Sequence, residues 1–79
     1  MMIGFWKHAN HDAVYATYSN GTKQWLTDQG MLNGAMQLAA INGVPQNVNV
    51  TDDGGLFAAI GVILPGTPVP PGCDQWGNP

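Results

Sequence analysis

The sequence has no arginine, no glutamate, only two lysines and a single cysteine. Each shortage closes a class of function or of stabilisation. Nucleic-acid binding relies on several Lys or Arg contacts to phosphate, and with a net charge of −3 that partner is excluded. One cysteine, Cys73, excludes an intrachain disulfide. The start, Met-Met-Ile-Gly-Phe-Trp-Lys-His, lacks the basic and apolar stretches of a signal peptide. No run approaches the roughly 18 apolar residues that span a membrane. The expected partner list therefore contains neither nucleic acid nor membrane, and no cofactor.

Length sets the next constraint. Below about 70–80 residues a single core rarely supplies more than roughly 3–5 kcal/mol, and this chain has 79. Small domains draw on disulfides, metals or neighbouring subunits, and here association with other chains is the expected support. Charged residues make up 9% of the chain, against about 25–35% of the surface of a typical freely diffusing domain. A surface this uncharged suits contact with other protein.

The strongest local signal lies in residues 14–26, Val-Tyr-Ala-Thr-Tyr-Ser-Asn-Gly-Thr-Lys-Gln-Trp-Leu. Asn20-Gly21 between β-rich segments predicts a hairpin with a two-residue type I′ turn. That turn sets Tyr18 opposite Lys23, Ala16 opposite Trp25 and Tyr15 opposite Leu26. One face then shows Val14, Ala16, Tyr18 and Trp25, the other Tyr15, Thr17, Gln24 and Leu26. Neither face is purely polar, so both are expected to be partly covered. Residues 3–6 read as an edge strand and residues 7–12 as a polar loop.

Further on, Thr27 is the expected N-cap of a helix over 28–42, with Asp28 in its first turn. Leu32, Ala35, Met36, Ala39 and Ala40 recur at helical spacing, and Asn42-Gly43 with Pro45 ends the run. Residues 48–51 alternate as a half-buried strand does. Asp52-Asp53-Gly54-Gly55 predicts a turn, residues 56–60 a brief helical turn and residues 62–64 an extended segment. From Pro65 the chain turns proline-rich and reads as an extended, polyproline-like arm. The expected architecture is α+β: a small antiparallel sheet built on the hairpin, one helix packed on it (residues 1–64), and the arm (65–79).

Few residues carry chemistry. His8, His11 and Asp12 form the nearest approach to a metal cluster but lack further ligands nearby, and read as loop residues. The Asp52–Gly55 stretch lacks the alternating ligands and distal glutamate of a calcium loop. Ser19 and Cys73 have no base close in sequence, so no nucleophilic site is expected and the chain reads as a non-enzyme. Asn20-Gly-Thr and Asn49-Val-Thr match the glycosylation pattern but read as turn and strand residues. Pro65-x-x-Pro68 and Pro68-x-x-Pro71 lack the arginine usual in SH3 ligands. The interface candidates are Trp6, Tyr18, Trp25, Pro68, Pro70, Pro71 and Trp76, with Trp76 foremost because tryptophan is enriched at binding hot spots.

The hairpin–helix junction resembles a pattern found in small proteins and modules of bacteriophages and Gram-positive bacteria. It is carried by Val14-Tyr15, Asn20-Gly21, Lys23, Leu26 and Thr27-Asp28, continued by Val48-Asn-Val50 and residues 56–60, about half the chain. The resemblance implies a virion-associated role, with synthesis in the host cytoplasm. The expected function is a structural component of a phage particle (minor capsid, decoration or tail), acting on other virion proteins and copies of itself. The alternative is a soluble binding module, such as an inhibitor of a host protein or a cell-wall-binding domain.

Overall fold

A computed structural model describes residues 1–79. The hairpin forms where expected, with strands β2 (Val14–Tyr18) and β3 (Thr22–Trp25), but its register is shifted by one. Thr17 faces Lys23, Ala16 faces Gln24 and Tyr15 faces Trp25. Gly21 is left-handed at φ 80° while no non-glycine residue has positive φ. A type I′ turn needs positive φ at both central residues, so Asn20 does not form one. The loop instead has three residues, 19–21, with the Gly21 amide donating to the Tyr18 carbonyl at 3.3 Å. This one-residue slip exchanges the faces. Tyr15, Thr17, Lys23 and Trp25 share one side, and Val14, Ala16, Tyr18 and Gln24 the other.

The sheet is mixed and five-stranded, rather than a small antiparallel one, and it carries two helices. Strands β1 (Met2–His8), β4 (Val48–Thr51) and β5 (Val62–Ile63) complete it in the order β4-β1-β2-β3-β5. β1 pairs antiparallel with β2 and parallel with β4, and β3 pairs parallel with β5. The segment expected as an edge strand is thus an inner one, and His8, expected in a loop, closes it and is buried.

Helix α1 (Gln29–Ile41) connects β3 to β4, and α2 (Gly54–Ile60) connects β4 to β5. These two crossovers run in opposite directions over the sheet. A common right hand requires them on opposite faces, and that is where they lie. α1 packs Ala35 and Ala39 on Phe5 and Ala16, with Leu26, Met36 and Val48 around them. α2 packs Phe57 on Tyr15, Ala13 and Ile63, flanked by Trp6, Trp25 and Ile60. The cap of α1 is Asp28 rather than Thr27, accepting from the Met31 amide at 2.8 Å. Asp53 caps α2 through the Leu56 amide at 3.0 Å, so the expected turn here doubles as a helix start. Neither helix is long and apolar enough to cross a membrane.

The proline-rich segment does not project. Fifteen polyproline-like residues would reach roughly 45 Å, yet the whole molecule measures 32 × 23 × 22 Å. Residues 65–79 fold back instead onto the α2 side of the sheet. The Ile63 amide donates to the Gln75 carbonyl at 2.8 Å, which closes the outer edge of β5. Asn78 Nδ2 donates to the Gly54 carbonyl at 2.9 Å. Pro70 is fully buried.

Candidate functional site

Beneath the folded-back tail lies the one buried cluster of polar chemistry. The shifted register turns Lys23 inward, and it is 0% exposed. Its Nζ donates to the Phe57 carbonyl at 2.7 Å, near the end of α2 where helical carbonyls lack amide partners. It also lies 3.7 Å from the Phe57 ring centroid and 5.6 Å from that of Tyr15. Phe57 meets Tyr15 and His8 edge-on, each pair of rings 5.6 Å apart. Burial lowers the Lys23 pKa to about 8, with Asp74 pulling weakly the other way.

The tail forms the roof. The Asp74 side chain accepts from the Trp76 amide at 3.0 Å and the Asn78 amide at 2.9 Å, bending the chain so that Gly77 sits over Tyr15. At Gly77, where φ is 80°, a Cβ would stand 2.7 Å from the Tyr15 hydroxyl. That hydroxyl is buried with no hydrogen-bond partner. The Cys73 thiol faces it without reaching hydrogen-bond geometry. Burial first, and the negative charge of Asp74 second, push the Cys73 pKa up; burial raises that of Tyr15 above the ordinary phenol range.

A lysine with its pKa lowered to about 8, beside a tyrosine and a thiol, has the makings of nucleophilic chemistry. Here, however, no pocket opens on the surface, and the amine is sealed under the tail. Its visible work is to tie β3 to α2. Burying it also leaves Lys7 as the only side-chain cation at the surface, against exposed Asp12, Asp28, Asp52, Asp53 and Asp74.

The other sequence candidates are dispersed. His8 Nδ1 accepts from the Asn10 amide and His11 Nδ1 from the Ala13 amide, both at 3.1 Å. No three His, Cys, Asp or Glu side chains come together. Trp6 and Trp25 are half-buried against the α2-side core, while Tyr18 lies on the α1 side, its hydroxyl donating to Gln24 Oε1 at 3.2 Å. Pro70 is interior; Pro68, Pro71 and Trp76, 39% exposed, lie on the tail. These seven residues do not form one surface.

A different surface is uncharged. All 13 residues of α1 lack charge, and Leu38 (54% exposed) and Ile41 (79%) point outward with Met31. At 100° per residue these three fall within an arc of about 80°. The opposite stripe of a surface helix is ordinarily charged or polar. The sequence carries this signal, since Met31, Leu38 and Ile41 recur at helical spacing on a stripe apart from the buried Ala35 and Ala39. No family model, curated protein or solved structure matches the chain.

Proposed function

We propose that the protein is a structural component of a phage particle, working by association with neighbouring virion proteins and with copies of itself. The observation that carries this reading is the charge-free α1, which exposes Leu38 and Ile41. Isolated apolar side chains on a surface need no explanation, but an apolar stripe on a helix without a single charge marks a contact face. The particle setting rests on the resemblance of the hairpin–helix junction. The tail takes no part as a docking arm, because it is committed to the chain's own sheet.

The test is recovery of the protein in purified particles, followed by mass spectrometry, for wild type and for Leu38→Glu/Ile41→Glu. The expected result is incorporation of wild type and its loss in the double variant, with the circular dichroism spectrum unchanged. Absence of wild type from particles overturns the reading.

One observation favours a soluble binding module instead. Both sheet faces and the β5 edge are covered within a single chain, as a monomer working alone in solution requires. On that reading wild type is absent from particles and binds one host or cell-wall partner as a monomer.

A further inference from the structure

The two edges of the sheet are treated differently. At β5 the tail covers the edge, through the Ile63 amide and the Gln75 carbonyl. At β4 nothing pairs with the outer side. Natural edges are blunted by lysine, proline, bulges or a covering segment. β4 reads Val48-Asn49-Val50-Thr51; it is short, but carries no lysine, proline, bulge or covering segment, and Val50 is 56% exposed. We propose that β4 is a self-pairing edge, joining the β4 of a second copy antiparallel into one continuous sheet. This rests on the reading of the protein as a self-associating component and adds to the α1 face a second surface, reserved for copies of the same chain.

The backbone directions select the register. The Ala9 amide donates to the Thr51 carbonyl at 2.8 Å, and His8 is the β1 partner of Thr51. Thr51 and Asn49 therefore spend their amides and carbonyls inward on β1, and Val48 and Val50 present theirs outward. A two-fold axis midway between the two copies of Asn49, perpendicular to the sheet, sets Val48 against Val50 of the partner and Val50 against Val48. Both are then hydrogen-bonded pairs, exchanging four bonds in all, and Asn49 meets Asn49 in a non-hydrogen-bonded pair.

The side chains agree with that register. Val48 packs on the α1-side core, so by alternation Val50 shares its side and Asn49 lies opposite. The pairing places valine beside valine on one face and amide beside amide on the other. Asp52 and Asp53 fall beyond the paired residues, opposite Gln46 and Pro45, so no like charges meet. Sliding by two residues would set Val48 against Asp52. The complementarity is isologous, as a closed dimer needs. Two four-residue strands bury less than the roughly 1,200 Å² of a standard interface, so the dimer should dissociate on dilution.

The experiment is light scattering across a concentration series, with a cross-linking arm. Wild type is expected to move from monomer to twice the monomer mass as concentration rises. Val50→Pro removes only an outward amide and leaves the inward ladder whole; it should remain monomeric at every concentration where wild type is dimeric. Val50→Lys provides the same readout should proline unfold the strand. In a Cys73→Ser background, Asn49→Cys should form a covalent dimer on mild oxidation, since such pairs lie about 4.5 Å apart at Cα. Val50→Cys should not, because its copies lie on a diagonal beyond the roughly 7 Å a disulfide spans. A dimer that persists in both Val50 variants overturns the β4 pairing and leaves self-association standing. A wild type monomeric throughout overturns both.

Discussion

Lys23 donates to the backbone carbonyl of Phe57 at 2.7 Å while its Nζ stands 3.7 Å from the centroid of the same residue's ring. One residue of α2 thus supplies both the acceptor and the aromatic face for the buried amine. An uncompensated ammonium in such a place would cost several kcal/mol; the carbonyl and the two rings offset part of that.

The residual cost gives a pH signature. Lys23 is held at about 8, below the ordinary 10.5. Between those values the unfolded chain binds the extra proton, so stability rises with pH across that window. Cys73 and Tyr15 act the other way, since their raised values make stability fall as pH passes their ordinary values of 9.0 and 10.0. Urea unfolding should show wild type gaining stability from pH 8 to 9, levelling between 9 and 10 where Lys23 and Cys73 oppose each other, and falling above 10 as Tyr15 joins Cys73. Lys23→Met should abolish the gain and stay within about 1 kcal/mol of wild type at pH 7. Lys23→Ala should lose about 2–4 kcal/mol through the cavity it leaves. A gain from pH 8 to 9 that survives Lys23→Met would falsify the assignment.

Which parts of this were legible beforehand follows from the range of the interactions. α1 is written in the spacing of Leu32, Ala35, Met36 and Ala39 and in the Asn42-Gly43 stop, all local signals. The alternation in residues 48–51 marked β4. Its parallel partner β1 lies more than 40 residues away, and nothing near either strand announces the pairing. That is why the sequence predicts an antiparallel sheet with one packed helix where the chain forms a mixed sheet with a helix on each face. The course of the tail is hidden for a related reason. Proline content excludes helix and inner strand, but left-handed glycines at 66, 72 and 77 let the chain double back. The site was hidden by parity, since Lys23 faces α2 only when the hairpin loop has three residues.

Tyr15 carries the second prediction. Its hydroxyl is buried without a partner, and an unsatisfied buried hydroxyl costs about 1–3 kcal/mol. Tyr15→Phe should therefore match wild type or exceed it by about 1 kcal/mol in urea midpoint analysis, with the slope unchanged. A loss of more than that would mean the hydroxyl is bonded in solution, with the Cys73 thiol as its partner. Repeating the measurement in Cys73→Ser separates the two cases.

Gly77 is the roof tile over the same hydroxyl. Alanine there meets Tyr15 Oη at 2.7 Å and Cζ at 2.9 Å, in a backbone region L-residues disfavour. Overpacking and left-handed strain together should cost about 3 kcal/mol. Combining Gly77→Ala with Tyr15→Phe should recover only part of that loss, because ring carbons remain within contact. If Gly77→Ala were neutral, the tail would not be seated on Tyr15. Hydrogen exchange at Ile63, whose amide is held by Gln75, checks the seating independently.

The hairpin loop decides whether this arrangement exists at all. In a two-residue type I′ turn both Asn20 and Gly21 would be left-handed, and alanine at Asn20 would cost about 1–2 kcal/mol. In the three-residue loop only Gly21 is left-handed. Asn20→Ala should then change stability by about 0.5 kcal/mol or less, losing only an exposed bond from Thr22 Oγ1 to Asn20 Oδ1. Gly21→Ala should cost about 1 kcal/mol or more. Urea denaturation of the two single variants reads this directly. A substantial loss at Asn20 would restore the two-residue turn, and with it a register that pairs Lys23 with Tyr18 on the α1 side. Because strand side chains alternate, that single residue in the loop determines whether the chain's inward lysine lies on α2 or is exchanged for Gln24.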